Sequence, residues 1–312
     1  MLDSINYIIR NETVDFNYLK KLGISIKKFS YKGIKDNYTF NYKSVGFKYY
    51  IIFRCIIVQT NPHKILKKRD IANNDKYKYI QELDYIIEKI FQKKVKMELR
   101  RIDYCVDIKL GDLKKTYLSL YKWHKPKFGY MKIKEIYNTS IYRQSKRGQY
   151  NLNIYSRFEK TKNKVDKDIL RIELQIKSAK INNNFKKYGI RKDIYNYWSK
   201  ESMEEYYFKF LKDFFGEGKN YKIEKAEYII NSSNYSKVFK AKLKKFLRNL
   251  LENDEEILVK NKIYNINTIK RYERMLGSIG INTVLLPKMY QFDELKNILD
   301  IAREVADKKY FK

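Results

Sequence analysis

The chain has 312 residues, with 68 Lys plus Arg against 36 Asp plus Glu, a formal net charge of +32, and it is 44% hydrophobic and 16% aromatic. So much apolar and aromatic residue excludes a disordered chain, 11 Gly and 3 Pro exclude a collagenous one, and no run approaches the ~18 uncharged apolar residues of a membrane span. Two cysteines, Cys55 and Cys105, make no disulfide framework, and the acid-bearing N-terminus does not read as a signal peptide, so a cytoplasmic protein is expected. The charge calls for a polyanionic partner, with nucleic acid ahead of an anionic membrane surface. A bias toward Lys, Asn, Ile and Tyr inflates the lysine count, yet does not by itself explain an excess of 32 over the acids.

Residues 1 to about 60 predict strands and turns: Ser4–Arg10, Tyr38–Tyr42 and the apolar run Tyr49–Val58, too β-branched and too broken by Arg54 for a helix. Lys76–Val95 has apolar residues at 80, 83, 86, 87, 90 and 91, the spacing of one helix face. Three segments of period-two alternation follow, Lys96–Leu110, Gln149–Glu159 and Ile169–Lys177. Between the first two lie a predicted helix, Leu113–Trp123, and a basic hairpin region, Lys125–Gly148. Beyond residue 177 the pattern is helical: Ile194–Phe215, Ser236–Leu251, Asn267–Leu276 and Phe292–Ala306. The fold expected is α+β, with an antiparallel-sheet domain at 1–185 and a helical domain at 186–312.

Residues two apart on a strand point the same way, which sorts the faces of the three alternating segments. Each has one apolar face. The other faces carry Asp103, Cys105 and Asp107; Asn151, Asn153, Tyr155, Arg157 and Glu159; and Arg171, Glu173, Gln175 and Lys177. The bland alternative is that these faces only meet water, as on any half-exposed antiparallel sheet. Side by side, they would instead gather carboxylates for a hard cation, a tyrosine hydroxyl as nucleophile and arginines for phosphate charge. That inventory suits phosphoryl transfer from a DNA strand to a tyrosine. Asp103 and Asp107 are four strand residues apart, roughly 13 Å at ~3.3 Å each, too far to chelate one ion on a straight strand. Asp103 is taken as the inner ligand. With only His63 and His124 in the chain, any metal site is built mainly of oxygen, which suits Mg²⁺ or Mn²⁺ better than zinc.

These residues bring out a resemblance. Arg101-Ile102-Asp103, Ile154-Tyr155 followed by Glu159, and Leu170-Arg171-Ile172-Glu173 resemble three strands of rolling-circle replication initiators, in particular the gene II family of filamentous phages and related plasmids. Staphylococcal plasmid initiators are more distantly similar. A fourth block, Ile269-Lys270-Arg271-Tyr272, Gly280-Ile281 and Leu285-Leu286-Pro287, is similar in order to the gene II tail. The resemblance spans about residues 45 to 300 in short scattered blocks. It implies a metal-dependent nick of one strand at an origin, with Tyr155 as nucleophile and Asp103 and Glu173 as ligands of Mg²⁺ or Mn²⁺. Arg157, Glu159 and Arg171 would be supporting site residues. Asp107, carried as a further ligand, matches the plasmid initiators and not the gene II pattern. Tyr142 and Tyr150 are weak candidates for a second nucleophile. The partners implied are origin duplex, the single-stranded nick site, and host helicase and polymerase; a homodimer is compatible, and no membrane partner is expected.

Lys125, Lys127, Lys132, Lys134, Arg143, Lys146 and Arg147, interleaved with Phe128, Tyr130, Tyr137 and Tyr142, suit single-stranded DNA, where bases stack and phosphates are neutralised. Lys64–Arg69 is a second basic run. An ordinary solvated hairpin is the alternative. Lys270 and Arg271 lie where a helix-turn-helix reader would fall, with Asn267-Thr268 capping one helix, Gly277 or Gly280 breaking it and Asp293-Glu294 starting the next. The competing functions are a conjugative relaxase and a non-catalytic DNA-binding regulator.

Overall fold

The computed structural model describes residues 2–123, 131–137, 139–145, 147–253 and 255–311, with 123, 131–137 and 256 described by backbone alone. The N-terminal elements are β1 (Leu2–Arg10), α1 (Phe16–Lys21), β2 (Ile26–Tyr31), β3 (Ile34–Tyr42), β4 (Val45–Tyr50), β5 (Cys55–Thr60), α2 (Pro62–Leu66) and α3 (Lys76–Phe91). The run Tyr49–Val58, expected as one strand, is the end of one strand and most of the next. A turn at 51–54 separates them, with Arg54 at φ +43°. Helix α1 departs from the strands and turns expected of residues 1 to about 60.

The middle of the chain forms β6 (Glu98–Lys109), α4 (Leu113–Trp123), β7 (Met131–Tyr137), β8 (Ser140–Ser145), β9 (Tyr150–Ser156), α5 (Arg157–Thr161), β10 (Ile169–Ile176) and α6 (Ser178–Tyr188). Among the described residues, ten strands make one sheet in the order β2-β3-β4-β5-β1-β6-β10-β9-β8-β7, and every neighbouring pair is antiparallel. The molecule therefore combines helices with a large antiparallel sheet, as alternation in the sequence implies.

The C-terminal part contains α7 (Lys200–Met203), a π-helical turn Glu204–Phe208, α8 (Lys209–Phe215), β11 (Asn220–Tyr221), α9 (Ile223–Ser232), α10 (Lys237–Glu252), α11 (Glu255–Lys260), α12 (Ile266–Ser278), β12 (Glu294–Leu295) and α13 (Ile298–Lys309). Its apolar side chains divide between two cores. The larger core lies on one face of the sheet and includes residues of 194–215 together with Ile298, Leu299, Ala302 and Ala306 of α13. The smaller core is built from residues 221–285, with Leu243, Phe246, Ile269 and Leu276 fully buried. By packing, therefore, α7, α8 and α13 belong with the sheet, and the helices between them form their own cluster. Close backbone contact joins the two: a Cβ on Gly218 would lie 2.5 Å from the Gly280 carbonyl carbon.

The expected helix signals shift by a few residues. Asn265, not Asn267-Thr268, caps α12, accepting a hydrogen bond from the Thr268 amide. The helix passes through Gly277 and gives way to Gly280 at φ +78°. Glu294 is in a short strand, and Asn297 caps the last helix.

Candidate active site

The central strands β6, β10 and β9 lie side by side, and their register aligns the polar residues in rows: Asp103 with Gln175 and Asn151, Cys105 with Glu173 and Asn153, Asp107 with Arg171 and Tyr155. Alternation explains why these residues share a face. The opposite-parity residues Ile102, Tyr104, Val106, Leu152, Ile154, Ile172 and Leu174 are 0–1% exposed in the main core. Hydrophobic burial of one face therefore fixes the other, because a one-residue slip would invert both.

The two carboxylates chosen from the sequence, Asp103 and Glu173, are joined by a third, Asp3. The carboxylate oxygens of Asp3, Asp103 and Glu173 lie within 4.8 Å of one another. Asp3 comes from β1, where the register against β6 shifts between Leu2 and Ile5. Such a bulge re-aims side chains, and here both residues inside it bond to the polar cluster. Asp3 accepts from Arg171 Nη1 at 2.6 Å, and Ser4 Oγ donates to Asp103 at 2.5 Å. Three carboxylates offer only hard oxygen ligands, the donor set that suits Mg²⁺ or Mn²⁺.

Tyr155 OH donates to Glu173 Oε2 at 3.0 Å. Asn153 and Gln175 donate to the other oxygen of Glu173 at 3.1 and 2.9 Å, and Asn151 holds Gln175 in turn at 3.0 Å. Burial, then the neighbouring Glu173 carboxylate, pushes the Tyr155 phenol well above its ordinary pKa. The sequence reading missed Lys160, whose Nζ is 3.1 Å from the same phenol oxygen and 4.0 Å from Glu173. Lys160 reaches back because β9 stops at Ser156 and the chain turns at once into α5.

That early stop also moves two expected site residues. Arg157 and Glu159 are helical, not on the strand face. Arg157 pairs with Asp107 and Asp166, while Glu159 is exposed and pairs with Lys162 at 2.8 Å. Asp107, carried as a metal ligand, instead accepts from Nε and Nη2 of Arg171 at 2.6 and 2.8 Å. It is not part of the three-acid group. Arg171, 6% exposed, thus bridges Asp107 and Asp3 and positions the acids.

Asp103 is fully buried, and its carboxyl is pushed up to about 6, by burial first and by the nearby Glu173 charge, against the pull of Arg101. Arg101 donates to it at 2.7 and 2.5 Å. A folded-state pKa raised above the ordinary 3.8 means a contribution to stability that is complete below about pH 4 and lost as pH rises through about 6. Two pKa units correspond to on the order of 3 kcal/mol. In thermal melts with chelator present, the wild type should lose stability between pH 4 and 7 relative to Asp103→Asn; parallel profiles would count against this account of Asp103.

The expected DNA-binding residues divide. Lys125, Lys127 and Lys146 lie outside the described residues, and Lys132 and Lys134 are on β7, described by backbone alone. Arg143 is 0% exposed and donates to the Lys122 carbonyl at 3.1 Å, so it is a core residue and not a surface phosphate contact. Arg147 is exposed, as are Lys270 and Arg271 on α12, the last lying 5.3 Å over the Phe239 ring.

No protein-family model and no curated protein matches the chain. Among solved structures it is similar to a rolling circle replication initiator protein from Geobacillus stearothermophilus, at 14% identity, over 57% of this chain and 73% of that one, with a TM-score of 0.33. At that score the likeness decides neither fold nor function, and the site's own geometry has to carry the functional conclusion. Among the described residues no helix is long and apolar enough to cross a membrane.

Proposed function

We propose that this chain is a replication initiator that nicks one DNA strand through Tyr155. The observation that supports this reading is a tyrosine hydroxyl hydrogen-bonded to one of three clustered carboxylates, with an ammonium group at its oxygen. In the reaction the phenol oxygen attacks the phosphorus, a phosphotyrosine ester forms at the 5′ side, and the 3′ oxygen leaves with the electron pair of the broken bond and takes a proton from water, giving a 3′-OH that primes synthesis. Glu173 Oε2, which already accepts the phenol hydrogen bond, takes up the proton, and Lys160 steadies the developing phenolate. Arg101 and Arg171 hold the acids in place. Asp3, Asp103 and Glu173 would hold Mg²⁺ or Mn²⁺, which when bound polarises a non-bridging phosphate oxygen. The ester conserves the energy of the broken bond, so attack by a 3′-OH rejoins the strand.

The partners under this reading are origin duplex and the single-stranded nick site, with host helicase and polymerase downstream. A conjugative relaxase would use the same chemistry to start transfer. The reading is tested by incubating supercoiled DNA of the parent replicon with the protein and Mg²⁺ or Mn²⁺. Relaxed circles and a 5′-linked protein–DNA adduct resistant to boiling in detergent are expected. Neither relaxation nor adduct with either cation would leave a non-catalytic regulator as the reading.

A further inference from the structure

The face that carries the site continues across β1, β5, β4 and β2, where the polar site gives way to rings and, among the described residues, to cations without carboxylate partners. Asn6 pairs with Arg101 across β1 and β6, and Ile8 and Arg10 follow on the same side of β1. Ile8, Cys55 and Ile57 accordingly pack with Tyr50 in a small cluster of their own, apart from the main core. Above them opens a cavity of about 440 Å³ walled by Tyr31, Tyr50 and Phe53 and by Arg10, Lys32 and Arg100. The rings stand edge to face, Tyr31 to Tyr50 at 5.2 Å and Tyr31 to Phe53 at 6.4 Å, and Tyr31 and Phe53 are 40% and 51% exposed. The β6 bulge opposite Asn6 and Tyr7 displaces Arg100 outward. Among the described residues no carboxylate lies within ion-pair distance of Arg10, Lys32 or Arg100. The one acid at the cavity, Glu98, already has Lys192 at 3.6 Å.

We propose that this cavity is a binding groove for single-stranded DNA, seating the strand that leads to or from the scissile phosphate. The inference rests on the reading above that the substrate is DNA. Exposed rings offer stacking surfaces that accept any base, and uncompensated cations offset phosphate charge. From Asp103 to Glu98 the strand runs five residues, roughly 16 Å at ~3.3 Å each. That span equals about five nucleotides at the ~3.4 Å spacing of a stacked strand, so one short segment can occupy groove and site together.

The test measures fluorescence anisotropy of a labelled oligo(dT) and of an abasic oligonucleotide of equal length, with the full-length protein. Wild type should prefer oligo(dT). Tyr31→Ala combined with Phe53→Ala should weaken oligo(dT) binding about 5- to 150-fold and erase that preference. Arg10→Gln combined with Arg100→Gln should weaken both probes and reduce the slope of log affinity against log salt by about 0.7 per lost phosphate contact. Both pairs are exposed, and melting curves matching wild type verify the fold. Ring variants that bind oligo(dT) like wild type overturn the groove, and nicking of supercoiled DNA by the wild type would then leave the active-site reading standing. Loss of oligo(dT) binding in the ring variants of a protein that never nicks would support the groove and reject the nickase.

Discussion

Tyr155→Phe should abolish the covalent protein–DNA adduct and lower strand cleavage by about 10⁴-fold or more, because it removes the only oxygen that can form the ester at this position. The substitution deletes one atom from a partly buried ring and leaves Glu173 Oε1 with its two amide donors. Its cost in stability is that of one lost hydrogen bond to a carboxylate, about 1–3 kcal/mol. Binding of oligo(dT) should be unchanged. Lys160→Gln separates attack from activation. The phenol keeps Glu173 but loses the ammonium at 3.1 Å, so cleavage should fall about 10- to 100-fold, with the rising limb of its pH profile moved to higher pH. An unaltered adduct in Tyr155→Phe would reassign the nucleophile, with Tyr142 and Tyr150 next to be substituted. Of these, Tyr150 lies against Phe210, with ring centroids 5.0 Å apart, and burial pushes its phenol up.

The three site strands were legible in the sequence because alternation has a period of two and each strand has a continuous apolar face. Asp103, Tyr155 and Glu173 then follow from parity, and adjacency of the strands brings them together. What alternation cannot show is where it stops. Asp3 lies in a bulge, where two successive side chains, Asp3 and Ser4, serve one face. The strand pattern read as continuing to Glu159 ends at Ser156, which hides Lys160 and misplaces Arg157 and Glu159. Parity puts Asp107 on the polar face and the resemblance to plasmid initiators carries it as a ligand, and only the register opposite Arg171 reveals its salt bridge. Charge was the least local of the signals. Arg143 counts toward the basic hairpin in the sequence yet is buried, while Arg10, Lys32 and Arg100 are scattered over ninety residues and meet only through sheet pairing.

Under the proposed mechanism, loss of the cation should be nearly as damaging as loss of the nucleophile, and the three acids allow the two roles proposed for Glu173 to be separated. Glu173 touches Tyr155, whereas Asp3 and Asp103 do not: Asp3 is held by Arg171, and Asp103 by Arg101 and Ser4. Asp3→Asn and Asp103→Asn therefore weaken the proposed cation site while leaving the acceptor of the phenol hydrogen bond in place. Each should reduce cleavage about 10³-fold or more, the loss expected when several kcal/mol of charge stabilisation on a phosphoryl oxygen is withdrawn. Glu173→Gln should be worse, since it also removes the acceptor for the phenol proton. Isothermal titration with Mn²⁺ should give one equivalent bound to wild type and a much weakened site in Asp3→Asn, with activity partly restored at high Mn²⁺. Chelator should stop cleavage by wild type while oligo(dT) binding persists, because the groove's rings and cations do not depend on the acids. Cleavage that survives chelation, or one equivalent of Mn²⁺ bound equally by Asp3→Asn and Asp103→Asn, would show the three carboxylates to be a structural ion-pair cluster anchored by Arg101 and Arg171.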